Sequence, residues 1–178
     1  WQAEGKKTEP PASGFAGLVN RFNMKKPIIG AVNGLAMGGG FEVALACDII
    51  IAAENAFFAL PEPRVGLAAL AGGLHRLSRQ IPMKQAMGMI LTGRRVLAEE
   101  GYRLGFVTEV APEGGALEKA KEWAELMGKC SPVSLRTSKD VVRRGLEQGS
   151  MTEAMHADYD SVATLRGSLD YIEGPKAF

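Results

Sequence analysis

The chain has 178 residues, enough for one domain with a substantial core. Its 21 Lys and Arg balance 20 Asp and Glu, so no charge excess marks nucleic acid or an anionic membrane as a partner. Cys47 and Cys130 are too few and too ordinary in setting for a disulfide framework, and His75 and His156 stand outside any ligand spacing, so no metal site is expected.

Trp1 to Gly14 is polar and carries Glu9-Pro10-Pro11-Ala12-Ser13-Gly14, a composition expected to form a mobile loop. The start at Trp1, without Met or a leader pattern, reads as a truncation that leaves targeting unjudged. Apolar residues at 15, 18, 19 and 22 predict a short helix over Phe15–Phe22. Ile28 to Val32, a β-branched run after Pro27, predicts a buried strand, and Asn33-Gly34 turns the chain. A Gly run, 38–40, then leads into a helix over Phe41–Cys47 and a second strand over 48–52. Glu42 and Asp48 interrupt this hydrophobic stretch, so no apolar run reaches the roughly 18 residues of a membrane span.

A third strand is expected over Asn55–Leu60 and a loop over Pro61–Ala71, followed by helices over Gly72–Arg79 and Met83–Leu91. Val96–Gly105 reads as a helix starting at Ala98-Glu99-Glu100, and Phe106–Val110 as a strand. Helical periodicity dominates from there, over Leu117–Met127, Pro132–Glu147 and Met151–Thr164, with breaks at Ser-Pro and Gly-Ser. The organisation is an α/β half followed by a helical tail, changing character between Val110 and Leu117.

Glu42 and Glu62 stand twenty positions apart, the first where the Gly turn opens a helix and the second just after Pro61. Moving water on or off a polarised double bond requires one group for the water proton and another for the carbon proton, and two carboxylates in different surroundings can supply both. Each has a plainer reading, Glu42 as a partner of the helix dipole and Glu62 as a solvated carboxylate paired with Arg64. The Gly run can accept a substrate oxygen on exposed backbone N–H groups or be a bare turn. Its spacing does not match the G-x-G-x-x-G dinucleotide pattern.

Lys26-Pro27, Asn33-Gly34-x-Ala36-x-Gly38-Gly39-Gly40-x-Glu42, Ala46-Cys47-Asp48, Pro61-Glu62 and Gly72-Gly73-x-x-Arg76-Leu77 together resemble the enoyl-CoA hydratase/isomerase, or crotonase, superfamily. Thr92-Gly93-Arg94-Arg95, Ala98-Glu99-Glu100, Gly105-x-Val107 and Glu173-Gly174-Pro175-x-Ala177-Phe178 extend the resemblance over the chain after Phe15. Gly14-Phe15-Ala16-Gly17-Leu18, Phe57-x-Ala59-Leu60-Pro61-Glu62 and Met89-x-Leu91-Thr92-Gly93-Arg94-Arg95 look closest to its carnitinyl-CoA dehydratase-like members.

The resemblance implies an α/β fold, a spiral of ββα units over 15–112, followed by a helical region over 113–178 that builds a homotrimer or a hexamer. Packing within the chain is the plainer use of those helices. It also implies an acyl-CoA thioester as substrate, with Glu42 and Glu62 as acid/base residues, Gly39 as a backbone oxyanion donor, and Met37, Gly38, Pro61 and Leu70 around the substrate. The expected reaction is hydration of an enoyl-CoA or its reverse. An isomerase using one carboxylate and a non-catalytic acyl-CoA-binding subunit are the alternatives. Coenzyme A is then part of the substrate, no separate cofactor is expected, and the compartment is cytoplasmic for a bacterial source.

Two departures stand out. The family's second oxyanion donor belongs to an Ala-x-x-Ala-Gly-x-Asp segment expected before Trp1, in about the first third of the family's length. Ala68-Ala69-Leu70-Ala71 replaces a Pro-Gly seen in many hydratases, which puts Leu70 where a small residue would face the reactive water. Lys139, Arg143 and Arg144 either meet CoA phosphates or form a solvated helix face.

Overall fold

The structure, a computed structural model, describes residues 11–177. The loop expected over 1–14 therefore falls mostly outside the described residues, as does Phe178. Two compact units are present: residues 11–22 with Ile29–Ala120, and Asn23–Ile28 with residues 121–177.

In the first unit, strands β1 (Ile29–Val32), β2 (Leu35–Met37), β3 (Ile49–Ala53), β4 (Phe57–Ala59), β5 (Val96–Leu97) and β6 (Glu109–Ala111) form two three-stranded sheets. One sheet has the order β1-β3-β6, all parallel, with Ile29 opposite Ile49 and Ile51 opposite Glu109. The other has the order β2-β4-β5, with β2 parallel and β5 antiparallel to β4. Each successive ββα unit therefore gives its first strand to one sheet and its second to the other: β1, β2 and helix α1 (Gly39–Ala46), then β3, β4 and helix α2 (Gly73–Gln80).

Helix α3 (Met83–Thr92) and helix α4 (Ala98–Leu104) complete this unit, with the start of α5 (Ala116–Gly128). The core between the elements is aromatic at its centre. Phe41, Phe58 and Phe106 meet pairwise with ring centroids 5.1 Å apart, and Leu45, Leu77, Met89 and Val96 are buried with them. Such rings favour tilted and edge-on contacts, as seen here. The first N–H of α5, from Ala116, donates to Asn33 Oδ1 at 3.1 Å across 83 residues. Removing that acceptor by Asn33→Ala is expected to cost about 1 kcal/mol of stability, read as a lower urea midpoint at unchanged slope.

The second unit is helical: the rest of α5, α6 (Pro132–Gly145), α7 (Met151–His156), α8 (Asp160–Arg166) and α9 (Leu169–Ala177). Ser131 caps α6 by accepting from the Ser134 N–H at 3.2 Å, and Thr137 Oγ1 donates to the Ser161 carbonyl at 2.9 Å between α6 and α8.

Several sequence expectations shift for identifiable reasons. The helix over Phe15–Phe22 reduces to a 3-10 turn, Phe15–Gly17, because Ala16 and Gly17 take positive φ. Leu35–Met37 is a strand where only a turn and Gly run were expected. The 106–110 strand starts late because the Phe106 and Val107 amides cap α4 by donating to the Gly101 carbonyl, leaving Glu109–Ala111 to pair with β3. The single helix over 151–164 is two, broken where Ala157 turns extended and Tyr159 Oη bonds back to the Ala154 carbonyl at 2.8 Å. Val96–Leu97 is a short strand ahead of α4, and α9 is a helix that periodicity did not mark.

Candidate functional site

The site is built where β2 and β4 end. The strands are parallel, with Met37 opposite Ala59, so the residues that follow them emerge at the same edge. The Gly38 N–H donates to the Ala59 carbonyl at 2.9 Å and adds one more rung. Gly38 then turns with φ 53° and ψ −124°, a region that disfavours side chains. A Cβ on Gly38 would also lie 2.9 Å from Glu62 Oε1. The turn thus carries a glycine for two reasons at once, backbone conformation and the approach of a carboxylate.

Helix α1 begins immediately, and the Gly39 N–H is its first donor, with no acceptor among the described residues. One turn on, Glu42 is 4% exposed and its Oε1 accepts the Gly73 N–H at 2.9 Å. Gly73 is the first residue of α2, so Glu42 sits at that helix's positive end. Space there is tight: a Cβ on Gly73 would stand 3.0 Å from Glu42 Cγ and 3.0 Å from Ala69 Cβ.

Glu62 arrives from β4 through Leu60 and Pro61 and opens a 3-10 turn, Glu62–Val65, which Pro61 precedes as its N-cap. Its Oε2 is buried and has no hydrogen-bond partner among the described residues. The expected pairing alternative with Arg64 is not formed, because the Arg64 guanidinium donates to the Thr92 carbonyl at 3.1 Å. A buried carboxylate oxygen without a donor is costly and calls for a ligand proton or water.

Burial pushes the Glu42 carboxyl above its ordinary range, opposed by the Gly73 N–H bond, raised further by the Glu62 charge and lowered by the Ala71 N–H and Arg76. The folded state therefore holds the Glu42 proton more tightly than the unfolded chain does. Between the ordinary carboxylate range and the raised value the native state binds more protons, so stability falls as pH rises through that window. Glu42→Gln removes the penalty and keeps an acceptor for Gly73. It is expected to raise the unfolding temperature at neutral pH, with the advantage shrinking as pH falls into the ordinary carboxylate range, measured by calorimetry across pH.

The other expected contacts are placed as follows. Met37 is half-buried at the end of β2, next to Gly38, and Pro61 is half-buried next to Glu62. Leu70 is 79% exposed in the loop that precedes Gly72-Gly73, its N–H donating to the Ala68 carbonyl at 2.8 Å. Lys139 and Arg144 belong to the second unit and are engaged there: Lys139 Nζ donates to the Lys26 carbonyl at 2.6 Å, and Arg144 donates to the Asp158 carbonyl at 3.2 Å.

Two contributors were not singled out from the residues alone. Gly73 holds Glu42, and Phe15 lays its ring over Gly39, where a Cβ would meet ring carbon Cε1 at 2.6 Å. The Gly72-Gly73 pair at a helix start was the available signal for the first. No sequence signal pointed to the second.

Comparison with known proteins agrees with this architecture. The family described as enoyl-CoA hydratase/isomerase matches residues 2–178. Carnitinyl-CoA dehydratase of Salmonella typhi is 41% identical over 171 residues, 93% of this chain and 64% of that protein. The crystal structure of enoyl-CoA hydratase from Mycobacterium tuberculosis H37Rv superposes with a TM-score of 0.90 at 34% identity, covering 98% of this chain and 68% of that one. Enoyl-CoA hydratase from Bacillus anthracis gives 0.83 at 35% identity, covering 88% and 60%. The chain thus spans a little under two thirds of the first of these proteins. The alternating two-sheet ββα spiral is the fold of these relatives, and the chain belongs to the enoyl-CoA hydratase/isomerase family.

Proposed function

We propose that the protein adds water to, or removes it from, the α,β double bond of an enoyl-CoA thioester. One observation carries this reading: among the described residues, the buried Glu42, held by Gly73, and Glu62, with a buried oxygen that has no hydrogen-bond partner, flank a glycine turn whose Gly39 N–H has no acceptor. In hydration, the water oxygen bonds to the β-carbon as a carboxylate takes its proton. The π electrons move to the thioester oxygen, whose charge the Gly39 N–H stabilises, and the enolate then takes a proton at the α-carbon from the carboxyl pair. Losing one such preorganised donor typically costs about 2.7–4 kcal/mol of transition-state stabilisation.

The pair suits this exchange because it resists double ionisation. The Glu62 charge and burial both favour a proton on Glu42, so one group accepts while the other donates. Met37, Gly38, Pro61 and Leu70 are proposed to surround the acyl group, with CoA as part of the substrate and no further cofactor. The helical region over 113–178 is proposed to build a homotrimer or hexamer. Supporting this, the second unit leaves Leu146 84% and Leu169 77% exposed.

The test is the full-length protein with crotonyl-CoA and longer enoyl thioesters, following loss of conjugated-thioester absorbance and formation of the 3-hydroxyacyl product. Hydration supports the proposal. Double-bond migration without net water addition replaces it with an isomerase, and tight acyl-CoA binding without turnover at any chain length replaces it with a binding subunit.

A further inference from the structure

Arg76 lies on α2, one turn beyond the Gly73 N–H that holds Glu42, yet its side chain does not follow the helix outward. The guanidinium folds back over Gly72, where a Cβ would come within 2.0 Å of Nη1. From there Nη2 donates to the Val19 carbonyl at 2.5 Å, and the same group stands 5.7 Å from the centre of the Phe22 ring. Gly72, at φ 106°, is thus the residue that lets an arginine side chain cross the start of its own helix.

What Arg76 grips is a strap that needs holding. Residues 13–20 close on themselves through the Asn20 N–H to the Ser13 carbonyl at 3.0 Å, and Ala16 inside the loop takes φ 53°, uncommon for a residue with a Cβ. Strained backbone persists only where its surroundings over-determine it. Val19, whose carbonyl Arg76 takes, is 2% exposed, and Phe15 at the other end of the strap lies on Gly39. Arg76 therefore joins the α2 start, which fixes Glu42, to the strap, which covers the proposed oxyanion donor.

We propose that Arg76 is a positioning residue: by clasping the Val19 carbonyl across Gly72, it locks the 13–20 strap onto the α1 N-terminus and keeps Glu42 and Gly39 in mutual register. The kinetic part rests on the hydratase reading, while the clasp itself does not. The charged groups bearing on Glu42 are Glu62, from the 3-10 turn, and Arg76, from α2. Removing the Arg76 charge thus also raises the affinity of Glu42 for its proton.

The experiment compares Arg76→Gln and Arg76→Lys with Arg79→Gln in the full-length protein. Arg79 is exposed on the same helix and, among the described residues, donates to the His75 carbonyl alone, at 2.9 Å, so its variant serves as a parental control. In Arg76→Gln, amide hydrogen exchange of residues 14–20 is expected to quicken about tenfold or more. Its kcat/KM should fall at least as far, with the basic limb of kcat against pH, where Glu42 as the proton donor loses its proton, moved to higher pH. Arg76→Lys, which keeps one donor and the charge, is expected to fall between and to leave the limb in place. Parental strap exchange in Arg76→Gln overturns the clasp, and the lysine variant decides the same point if the glutamine variant does not fold. Faster strap exchange with parental kcat/KM and limb, in a protein that Glu42→Gln inactivates, overturns the positioning role. If Glu42→Gln itself turns over normally, it is the hydratase reading that fails, and strap exchange still decides the clasp.

Discussion

Glu62→Gln in the full-length protein is expected to lower kcat for enoyl-thioester hydration by about 10²–10⁴-fold, the range typical of removing a positioned acid or base. The change nearly conserves volume, which matters because the carboxylate lies against Gly38, where even a Cβ would stand only 2.9 Å away. On the proposed mechanism it removes the capacity of a buried oxygen, without a hydrogen-bond partner among the described residues, to take a proton from water. Glu42→Gln is expected to fall in the same range for a different reason: its amide oxygen still accepts the Gly73 N–H, so geometry is retained while proton exchange is lost. If the two act on one reaction as a unit, as proposed, the double variant is expected to be about as slow as the slower single, not slower by the product. Pre-steady-state turnover of crotonyl-CoA, with acyl-CoA affinity measured alongside, separates these outcomes. A single variant that retains parental turnover removes that carboxylate from the proposed two-carboxylate chemistry.

Much of this arrangement is legible in the order of the residues. Gly38-Gly39-Gly40 ahead of Glu42 announces a helix opening on exposed N–H groups, and the helix does begin at Gly39. Pro61-Glu62 after an apolar run announces a carboxylate at a strand end, which the parallel register of β2 and β4 then brings beside the glycines. That register is not legible, because β2 is three residues long and carries no alternation, so its pairing depends on partners 22 residues away, Leu35 on Phe57. Long-range capture of side chains is equally invisible. Nothing local says that Arg64 prefers the Thr92 carbonyl to Glu62, or that Phe15 lies on Gly39, since both depend on how distant segments meet. The helices of the second unit follow from period 3.6. The break that this period does not show, at Ala157–Tyr159, is stabilised by contacts periodicity does not carry: the Tyr159 hydroxyl on Ala154 and the Arg144 guanidinium 5.2 Å from its ring centre.

Gly38→Ala is the second large expectation, and it separates the glycine turn from helix propensity. Alanine at φ 53° and ψ −124° is strained by about 1–3 kcal/mol, and its Cβ would press on Glu62 Oε1. Neither cost can be relieved alone. Moving Glu62 away relaxes the contact but leaves the backbone strained, while turning the backbone breaks the Gly38 N–H bond to Ala59 that ties β2 to β4. The variant is therefore expected to lose stability by roughly that amount in urea unfolding. It is also expected to lose about 10²-fold in kcat, the size of effect that a misplacement near 1 Å produces at a reacting centre. Gly40→Ala, two residues along, supplies the contrast. Gly40 is exposed inside α1 and does not take positive φ, and a Cβ there would meet nothing within 4 Å. At that position alanine is expected to leave kcat unchanged and to add up to about 1 kcal/mol of stability through helix propensity. If both glycines tolerate alanine equally, the turn is not what holds Glu62 in place, and the carboxylate must be positioned by the 3-10 turn of Glu62–Val65 on its own.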